Sequence, residues 1–521
     1  QFADLVPDTN PGLLAGDDSH WLRLPEAFKA VHFPDDLGQT ELARERLAME
    51  EFIRFQRQIR ERRKIFQAKV KALPCGGDDR LVTPFLDALG FGFTGAQQRA
   101  WGDIARDMAG SHPMRRLLQG DVGSGKTVVA LLSMLSAVEA GEQAAMMAPT
   151  EILARQHLAT IEPLARAAGI EVVLLTGREK GKARETVLEK LSSGEAALAV
   201  GTHALFQDDV AFKALAMAVI DEQHRFGVHQ RLNLGNKGAA ADVLVMTATP
   251  IPRTLSMTVY GDMDISLLHG KPPGREPVDT RSIPLSRLDQ VVAGVRRAVD
   301  NGARAFWVCP LVEENEQLDL AAAKERHDAL ARVFGADQVG LVHSRISAKD
   351  KDAAMAAFAA GKTKILVATT VIEVGVDVAD ATVMVIEHAE RFGLAQLHQL
   401  RGRIGRADKP STCLLLYAPP LTAAAKARLE IMRETDDGFR IAEEDLKLRG
   451  AGELLGTRQS GLPEFHIADL QVHSKLLAAA RDDAALILDR DPELESDRGQ
   501  ALRVLLYLFE REAAVRNLRS G

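Results

Sequence analysis

The sequence is organised around one stretch of eight residues, Gly120-Asp121-Val122-Gly123-Ser124-Gly125-Lys126-Thr127. It fits the pattern of glycine, four residues, glycine, lysine, and serine or threonine that is typical of a phosphate-binding loop. Glycines let the backbone turn so that successive N–H groups point at phosphate oxygens, while the lysine reaches the β and γ phosphates and the hydroxyl holds Mg²⁺. The sequence therefore predicts that ATP and Mg²⁺ bind here, with Thr127 on the metal and the phosphates on Gly120, Gly123, Ser124, Gly125, Lys126 and Thr127.

The residues on either side of this loop indicate a strand and a helix. Leu117 and Leu118 can end a strand before the loop, and residues 128–138 are predicted to form a helix that Gly141 closes. A strand, a loop and a helix in this order are the context that the motif requires. This context disfavours the alternative of an ordinary turn that contains a lysine.

Length and composition describe a multidomain globular protein. The chain has 521 residues, too many for one core, with 46% hydrophobic and 26% charged residues and a net charge of −7. The acidic charge does not indicate a nucleic-acid-binding protein, although a basic channel can lie on an acidic body. Cys75, Cys309 and Cys413 lack paired spacing, which predicts a reduced, cytoplasmic protein without structural zinc. Apolar runs stay well short of about 18 residues, so we expect no membrane partner.

Residues 1–80 are predicted to hold an irregular lead segment and a long linker helix. Apolar side chains recur every seven positions through residues 41–73, which predicts a helix about 50 Å long that ends at Pro74. Its other faces form either a solvated surface on a strut between domains, the favoured interpretation, or a surface that faces DNA. The basic side chains on those faces are Arg54, Arg57, Arg60, Arg62, Arg63 and Lys64.

Residues 81–272 alternate between short apolar runs and helical stretches. The runs are residues 144–147, 172–175, 196–200, 217–220 and 243–246, and a second series lies in residues 273–420, at 305–308, 339–342, 365–367, 383–386 and 413–416. Because buried parallel strands form continuous apolar runs, the pattern predicts an α/β fold with two doubly wound parallel sheets in tandem. Since only the first carries a phosphate-binding loop, the nucleotide is expected between two lobes. Residues 421–521 are mostly helical.

An acidic pair follows the predicted strand at residues 217–220. Asp221 and Glu222 lie at the carboxyl end of a strand near the phosphate-binding loop, where Mg²⁺ and an attacking water must be met. Asp221 is predicted to help hold the metal, and Glu222 to orient and deprotonate the water. An isolated pair of this kind is more often a loop carboxylate, but a preceding phosphate-binding loop favours catalysis.

The box Asp221-Glu222-Gln223-His224 and the segment Thr247-Ala248-Thr249-Pro250 together resemble the motor core of superfamily-two helicases. In the second lobe, residues 368–377 (ATTVIEVGVD) and 399–406 (QLRGRIGR) are similar to the fifth and sixth motifs of that superfamily. The resemblance implies two RecA-like lobes that hydrolyse ATP, with five further residues at the nucleotide: Gly375, Asp377, Gln399, Arg403 and Arg406. It implies that the two arginines act as fingers on the γ-phosphate, so that hydrolysis depends on lobe closure. The alternative is that these arginines pair with surface carboxylates.

The resemblance also implies contacts to nucleic acid from residues that follow strands. Hydroxyls and backbone N–H groups at helix starts suit phosphate contacts, although each can equally be an ordinary helix cap. The residues concerned are Thr150, Gln156, Thr202, His203, Thr247, Thr249 and Ser344. Gln97 lies where this superfamily reads adenine, but Thr94 three positions earlier also allows a plain capping pair.

Three longer stretches, residues 221–228, 249–254 and 445–461, narrow the resemblance to the RecG family of branch-migrating helicases and to transcription-repair coupling factors. In both, the last stretch, which here contains Arg449 and Gln459, belongs to a helical hairpin and loop that couples lobe movement to translocation on duplex DNA. Residues 24–34 and the long helix favour the RecG family.

Membership of the RecG family implies a monomeric, ATP-dependent helicase that acts on branched double-stranded DNA. Its activities are branch migration of Holliday junctions and regression of stalled replication forks, with a single-strand-binding protein as a further partner. The alternatives are a transcription-repair coupling translocase, an RNA helicase, and a non-hydrolysing ATP switch that scaffolds repair proteins.

The start of the chain departs from the family pattern. RecG-type helicases carry an amino-terminal wedge, an oligonucleotide-binding barrel that splits strands at a fork. The chain begins with Gln1 where that barrel would end, which predicts a processed or truncated start, and residues 1–80 show no run of short strands. We expect ATP hydrolysis and duplex tracking to be less affected than branch specificity.

Overall fold

The computed structural model describes residues 8, 21–69, 75–89, 92–222, 241–248, 250, 252, 263–270, 276–310, 316–343, 345–369, 378, 380–405, 409–449, 465–470 and 472–504. The chain divides into two compact units. One comprises residues 1–70, 252–264 and 449–521, and the other comprises residues 71–251 and 265–448. The division into four segments at residues 80, 272 and 420 stays a prediction.

A seven-stranded sheet forms the first lobe of the unit that contains the phosphate-binding loop. Its strands are β1 (Arg115–Gly120), β2 (Gln143–Met147), β3 (Val172–Leu175), β4 (Leu198–Gly201), β5 (Leu215–Asp221), β6 (Asp242–Thr247) and β7 (Asp264–Leu268). Their order is β3-β4-β2-β5-β6-β1-β7, and the pairs from β3 to β1 are parallel. The helices of this lobe are α3 (Val82–Ala88), α4 (Gly95–Met108), α5 (Lys126–Glu139), α6 (Glu151–Ala167) and α7 (Lys182–Ser193).

A six-stranded sheet forms the second lobe of the same unit. Its strands are β8 (Asp279–Pro284), β9 (Arg304–Val308), β10 (Val339–Val342), β11 (Ile365–Ala368), β12 (Ala381–Ile386) and β13 (Thr412–Tyr417). They lie in the order β10-β11-β9-β12-β13-β8, and every neighbouring pair is parallel. The helices that follow are α8 (Leu288–Asp300), α9 (Glu316–Phe334), α10 (Ala348–Ala359), α11 (Leu394–Arg401), α12 (Ala423–Glu434) and α13 (Gly438–Arg449).

The prediction of two tandem parallel α/β sheets is confirmed, because each of the ten predicted apolar runs lies in or overlaps a strand. β1 is predicted from its place before the phosphate-binding loop, which leaves two strands, β7 and β8, that neither signal predicts. Both lie at a sheet edge, and their residues, DISLL and DTRSIP, are only partly buried. Each of these two stretches mixes charged or polar residues with apolar ones, so neither forms a continuous apolar run.

The two sheets bring the predicted motifs to one edge each. In a parallel sheet all strands end on the same side, so the segments after β1, β2, β4, β5 and β6 meet at the carboxyl edge of the first sheet. The central strands form the hydrophobic core of each lobe. Leu118 and Met217 in the first lobe and Phe306 and Met384 in the second are fully buried. The cores therefore hold rigid the loops that carry the polar motifs.

The other unit is helical where it is described. It contains α1 (Leu24–His32), α2 (Leu37–Lys69) and α14 (Ser474–Arg490). α2 begins four positions earlier than predicted, and its predicted apolar face is confirmed, since Met49, Phe52 and Ile53 are buried. No helix in the described ranges is long and apolar enough to cross a membrane.

The basic side chains on the polar faces of α2 differ in burial. Arg46 and Arg57 are 0% and 8% exposed, and Arg57 pairs with Glu61 at 2.6 Å. Farther along the helix, Arg63 pairs with Asp264 through its guanidinium. The prediction of a solvated surface is therefore wrong for Arg57, which is buried, whereas Arg63 is half-buried and Lys64 is exposed. A surface that faces DNA stays a prediction.

α2 also fixes the chain that follows the predicted coupling stretch. The carboxylate of Glu51, which is fully buried, accepts three backbone hydrogen bonds at 2.7, 3.0 and 2.9 Å, from the N–H groups of His466, Ile467 and Ala468. The ring of Phe465 packs edge-on against Phe52 and Phe55, with centroids 5.2 and 5.4 Å away. The chain is thus anchored immediately after residue 464.

A buried carboxyl at the start of β6 makes the stability of the first lobe depend on pH. Asp242 is 1% exposed, and its Oδ1 accepts a hydrogen bond from the N–H of Met114 at 2.6 Å. Burial raises the pKa of Asp242 to about 7, opposed by that hydrogen bond and assisted by Asp107. Because the unfolded carboxyl has a pKa of about 3.9, the folded protein binds more protons between these values. Stability should fall as pH rises through this window, by up to about 1.4 kcal/mol per pH unit.

We expect Asp242→Asn to remove this pH dependence, since the amide stays neutral and can still accept from Met114. From pH 5 to pH 7.5, the thermal midpoint of the variant should rise relative to that of the native protein. Asp208→Asn, at an exposed position, is the matched control and should give no such trend. An offset of equal size at every pH for Asp242→Asn would contradict the assignment.

Candidate active site

The phosphate-binding loop connects β1 to α5, as the motif requires. Gly125 caps the start of α5 with φ +87°, a left-handed conformation that side chains rarely adopt. A Cβ at this position would lie 2.1 Å from Nε2 of Gln97. Only glycine therefore fits, and the N–H groups of the helix start stay open to an anion.

Lys126 and Ser124 supply the polar side chains of this loop. Lys126 is 8% exposed, and its Nζ donates to the carbonyl oxygens of Gly120 and Asp121 at 2.8 Å each. The Oγ of Ser124 is buried and has no hydrogen-bond partner among the described residues. Since a buried hydroxyl is normally satisfied, the positive helix start, the lysine and this hydroxyl together fit the phosphates of ATP. Thr127 lies in the first turn of α5, where it would share Mg²⁺ with Asp221.

Glu222 lies in a strained and half-buried position next to the end of β5. Its φ is +53°, which is uncommon for a side chain of this size and is typical of functional sites. Its Oε1 accepts a hydrogen bond from the N–H of Ala248 at 3.1 Å. Burial and the neighbouring Asp221 raise the pKa of Glu222, while Lys126 and Arg403 lower it. The carboxylate is therefore oriented by the segment after β6 and lies within reach of two cations.

Asp221, the predicted metal ligand, has a partner that the sequence analysis does not identify. Its Oδ2 lies 3.0 Å from Nε2 of His157, and both side chains are largely buried. His157 lies on α6, directly after Gln156. No spacing rule connects a helix residue to the end of a strand that comes 64 positions later. The sequence signal that could have pointed to His157 is its place, as a polar residue, on the buried face of the amphipathic helix α6.

The second lobe brings Arg403 to this site. It follows α11, is half-buried, and its charge acts on Glu222 of the first lobe. Gly402 lies against the phosphate-binding loop, since a Cβ there would lie 2.8 Å from Cβ of Val122. Gln399 is half-buried on α11. The charge of Arg403 therefore reaches Glu222, and its role as an arginine finger stays a prediction. Arg406, Gly375 and Asp377 lie outside the described residues.

Gln97 forms the capping pair that the sequence allowed. Thr94 Oγ1 accepts from the N–H of Gln97 at 3.2 Å, and Oε1 of Gln97 accepts from the N–H of Thr94 at 2.8 Å. Its Nε2 donates to the carbonyl of Ser124 at 2.9 Å. The amide therefore also supports the phosphate-binding loop, and its contact with adenine stays a prediction.

Most predicted nucleic-acid contacts lie at the carboxyl edge of the first sheet. Thr150 caps α6 through the N–H of Leu153 at 3.4 Å, so the capping alternative is realised there. Thr202 follows β4, and its buried Oγ1 has no hydrogen-bond partner among the described residues. Beside these, Gln156 is half-buried, His203 is exposed and Thr247 is buried at the end of β6. Thr249, Ser344, Gln459 and the side chain of Arg449 lie outside the described residues.

Comparisons with known proteins match helicases along most of the chain. Family models match residues 94–258 (DEAD/DEAH box helicase), 287–408 (helicase conserved C-terminal domain) and 435–508 (ATP-dependent DNA helicase RecG, domain 3, C-terminal). The ATP-dependent DNA helicase RecG of Bacillus subtilis (strain 168) is 45% identical over 94% of this chain and 72% of that protein. The protein of the same name from Escherichia coli (strain K12) is 46% identical over 94% of this chain and 71% of that protein.

A solved structure of RecG bound to a three-way DNA junction gives a TM-score of 0.70 at 43% identity. The match covers 88% of this chain and 60% of that chain, so this chain spans less than two thirds of that chain. The agreement of family models, relatives and fold leaves one conclusion: this chain belongs to the RecG family of ATP-dependent DNA helicases.

Proposed function

We propose that this chain is an ATP- and Mg²⁺-dependent motor that moves on branched double-stranded DNA. It drives branch migration of Holliday junctions and regression of stalled replication forks. The observation that carries the proposal is the contact of the second lobe with the phosphate-binding loop beside Arg403, since a Cβ on Gly402 would lie 2.8 Å from Cβ of Val122. The charge of Arg403 also lowers the pKa of Glu222 on the first lobe. A complete hydrolytic set across two lobes is what a motor needs, because hydrolysis then depends on lobe closure.

The described residues of the site each have a proposed role in ATP hydrolysis. Lys126 and Arg403 place positive charge on either side of the phosphates, where charge develops in phosphoryl transfer. Glu222, held by the N–H of Ala248, is oriented to accept a proton from water. Bound Mg²⁺, held by Asp221 and Thr127, would supply further charge neutralisation. Arg406, Gln399, Gly375 and Asp377 complete the site in this proposal.

The DNA side of the proposal rests on the edge of the first sheet and on the coupling stretch. Thr202 offers a buried hydroxyl, and Thr150, Gln156, His203, Thr247, Thr249 and Ser344 are the other proposed backbone contacts. Phosphate contacts of this kind position DNA without reading its sequence. The relative bound to a three-way junction supports branched DNA as the partner. We also propose action as a monomer in the cytoplasm, alongside a single-strand-binding protein.

Three other candidate functions fit less well. A non-hydrolysing ATP switch has no need of Glu222 together with Arg403. An RNA helicase would not need the stretch at residues 445–461, and the family model that matches residues 435–508 describes a domain of the ATP-dependent DNA helicase RecG. A transcription-repair coupling translocase shares the motifs, but the relatives above favour the RecG assignment.

Unwinding of model forks and Holliday junctions tests this proposal, with Gln459→Ala as the informative variant. We expect the native chain to unwind both substrates with ATP and Mg²⁺. Gln459→Ala should keep much of the DNA-stimulated ATP turnover but unwind roughly tenfold more slowly. Gln290→Ala, at an exposed position on α8, should match the native chain in both assays. Equal loss of both activities in Gln459→Ala would contradict its coupling role.

A further inference from the structure

α13 begins against the phosphate-binding loop, although it follows the second lobe in the chain. The N–H of Gly438, its first residue, donates to Oδ2 of Asp121 at 3.2 Å. Oδ1 of the same carboxylate lies 2.6 Å from Nε2 of His398 on α11. Asp121 and His398 are only 7% and 5% exposed. Asp121 occupies an unspecified position of the phosphate-binding motif, so the motif assigns it no role.

The hydrogen bonds around His398 fix which ring nitrogen carries the proton. The guanidinium of Arg401 donates to Nδ1 of His398 at 3.0 Å. A guanidinium can only donate, so Nδ1 accepts and Nε2–H donates to Asp121. Arg401 also donates to the carbonyls of Met432 and Thr435 at 2.7 and 2.9 Å. A continuous chain of hydrogen bonds thus runs from the phosphate-binding loop through α11 to the end of α12.

The first turn of α13 has two further contacts with the first lobe. A Cβ on Gly438 would lie 2.7 Å from Cγ of Pro250, which follows β6, and 2.7 Å from Nε2 of His398. The ring of the next residue, Phe439, lies 4.5 Å from the ring of His269, which follows β7. The helix start is therefore seated tightly, and Pro250 leaves no room for a side chain at position 438.

The other end of α13 leads to the predicted coupling stretch. The helix has 12 residues, Gly438–Arg449, and would be about 18 Å long. The chain continues from Arg449 into residues 450–461, which resemble the duplex-tracking loop. Because a packed helix moves as a rigid rod, a shift at Gly438 is passed to Arg449.

We propose that Asp121, His398 and Gly438 form a joint between the phosphate-binding loop and α13. Through α13, this joint passes conformational changes at the nucleotide site to the duplex-tracking stretch. Asp121 belongs to the loop that binds phosphate, and its carboxylate accepts from both the helix start and His398, where negative charge is favoured. When the loop moves, the carboxylate of Asp121 moves with it. α13 then moves too, because its first residue is hydrogen-bonded to this carboxylate and is tightly packed. These three are positioning residues, and the inference rests on the proposed motor function.

Gly438→Ala tests the joint, with Gly294→Ala as its matched control. Gly294 lies on α8, where a Cβ would meet nothing within 4 Å. We expect Gly438→Ala to keep DNA-stimulated ATP hydrolysis within about threefold while fork unwinding per ATP hydrolysed falls about tenfold. Gly294→Ala should keep the native ratio. An unchanged ratio of unwinding to hydrolysis in a folded Gly438→Ala would overturn the proposal.

Hydrogen exchange supplies a second test that does not depend on turnover or on the alanine variant. In the native chain, a non-hydrolysable ATP analogue with Mg²⁺ should change amide exchange at residues 438–441. His398→Leu should bind the analogue but lose this change, and His398→Gln, whose amide can donate to Asp121, should restore it at least in part. No nucleotide-dependent change in the native chain at saturation would overturn the joint. Failure of the native chain to unwind any fork would instead overturn the motor function, while the exchange result still decides the joint.

Discussion

Replacement of Lys126 by alanine should abolish ATP turnover, with a fall in kcat on the order of 10³-fold. The ammonium of Lys126 is buried and held over the loop by two carbonyl oxygens. In this position it is prepared to stabilise charge on the transferred phosphoryl group without reorganisation. Its removal takes away the only side-chain cation of the phosphate-binding motif.

The measurement is steady-state ATP hydrolysis with saturating fork DNA and Mg²⁺. Lys426→Ala, which changes an exposed lysine on α12, is the matched control and should hydrolyse ATP like the native chain. Thermal midpoints of both variants should confirm that they fold. Turnover by Lys126→Ala within tenfold of the native rate would show that this loop is not the catalytic nucleotide site.

Glu222→Gln should lower kcat by on the order of 10²- to 10⁴-fold and leave ATP affinity nearly unchanged. Glutamine has the same size and keeps an oxygen for the N–H of Ala248, so the backbone around position 222 should persist. It cannot accept a proton from water, which is the step assigned to this carboxylate. We therefore expect the variant to bind ATP in a stable complex without hydrolysing it.

Single-turnover hydrolysis and equilibrium binding of a fluorescent ATP analogue separate these two effects. Glu189→Gln, at an exposed position on α7, should behave like the native chain in both measurements. If Glu222→Gln hydrolysed ATP at the native rate, another group would have to accept the proton. If it lost ATP binding instead, the role of Glu222 would be in nucleotide binding.

Sequence patterns predicted the central parts of both lobes because those parts depend on local physics. Strands such as β5 are buried on both sides, so their residues are apolar without interruption. The phosphate-binding loop likewise depends on consecutive residues whose backbone must turn. The strands β7 and β8 lack this signal, and the buried Glu51 of α2 depends on partners more than 400 positions away in the sequence.

The parts of the site that sequence patterns missed are pairs brought together only by folding. Asp121 and His398 are separated by 277 positions, and Asp121 and Gly438 by 317. No local periodicity relates such residues, and Asp121 is hidden at a position that the motif leaves open. His157 is a similar case, since its role as a partner of Asp221 follows from the packing of α6 on the sheet. Family motifs point to the nucleotide, whereas the structure is needed to find what holds the motifs together.

The DNA-motor proposal is tested most directly by the ATP hydrolysis rate of this chain with Mg²⁺ alone and with linear duplex, single-stranded DNA, forked DNA and RNA of equal length, at one fixed salt concentration. Strong stimulation by forked or duplex DNA, and none by RNA, is the predicted result. A rate that no nucleic acid raises, or that RNA raises as much as forked DNA does, would contradict it.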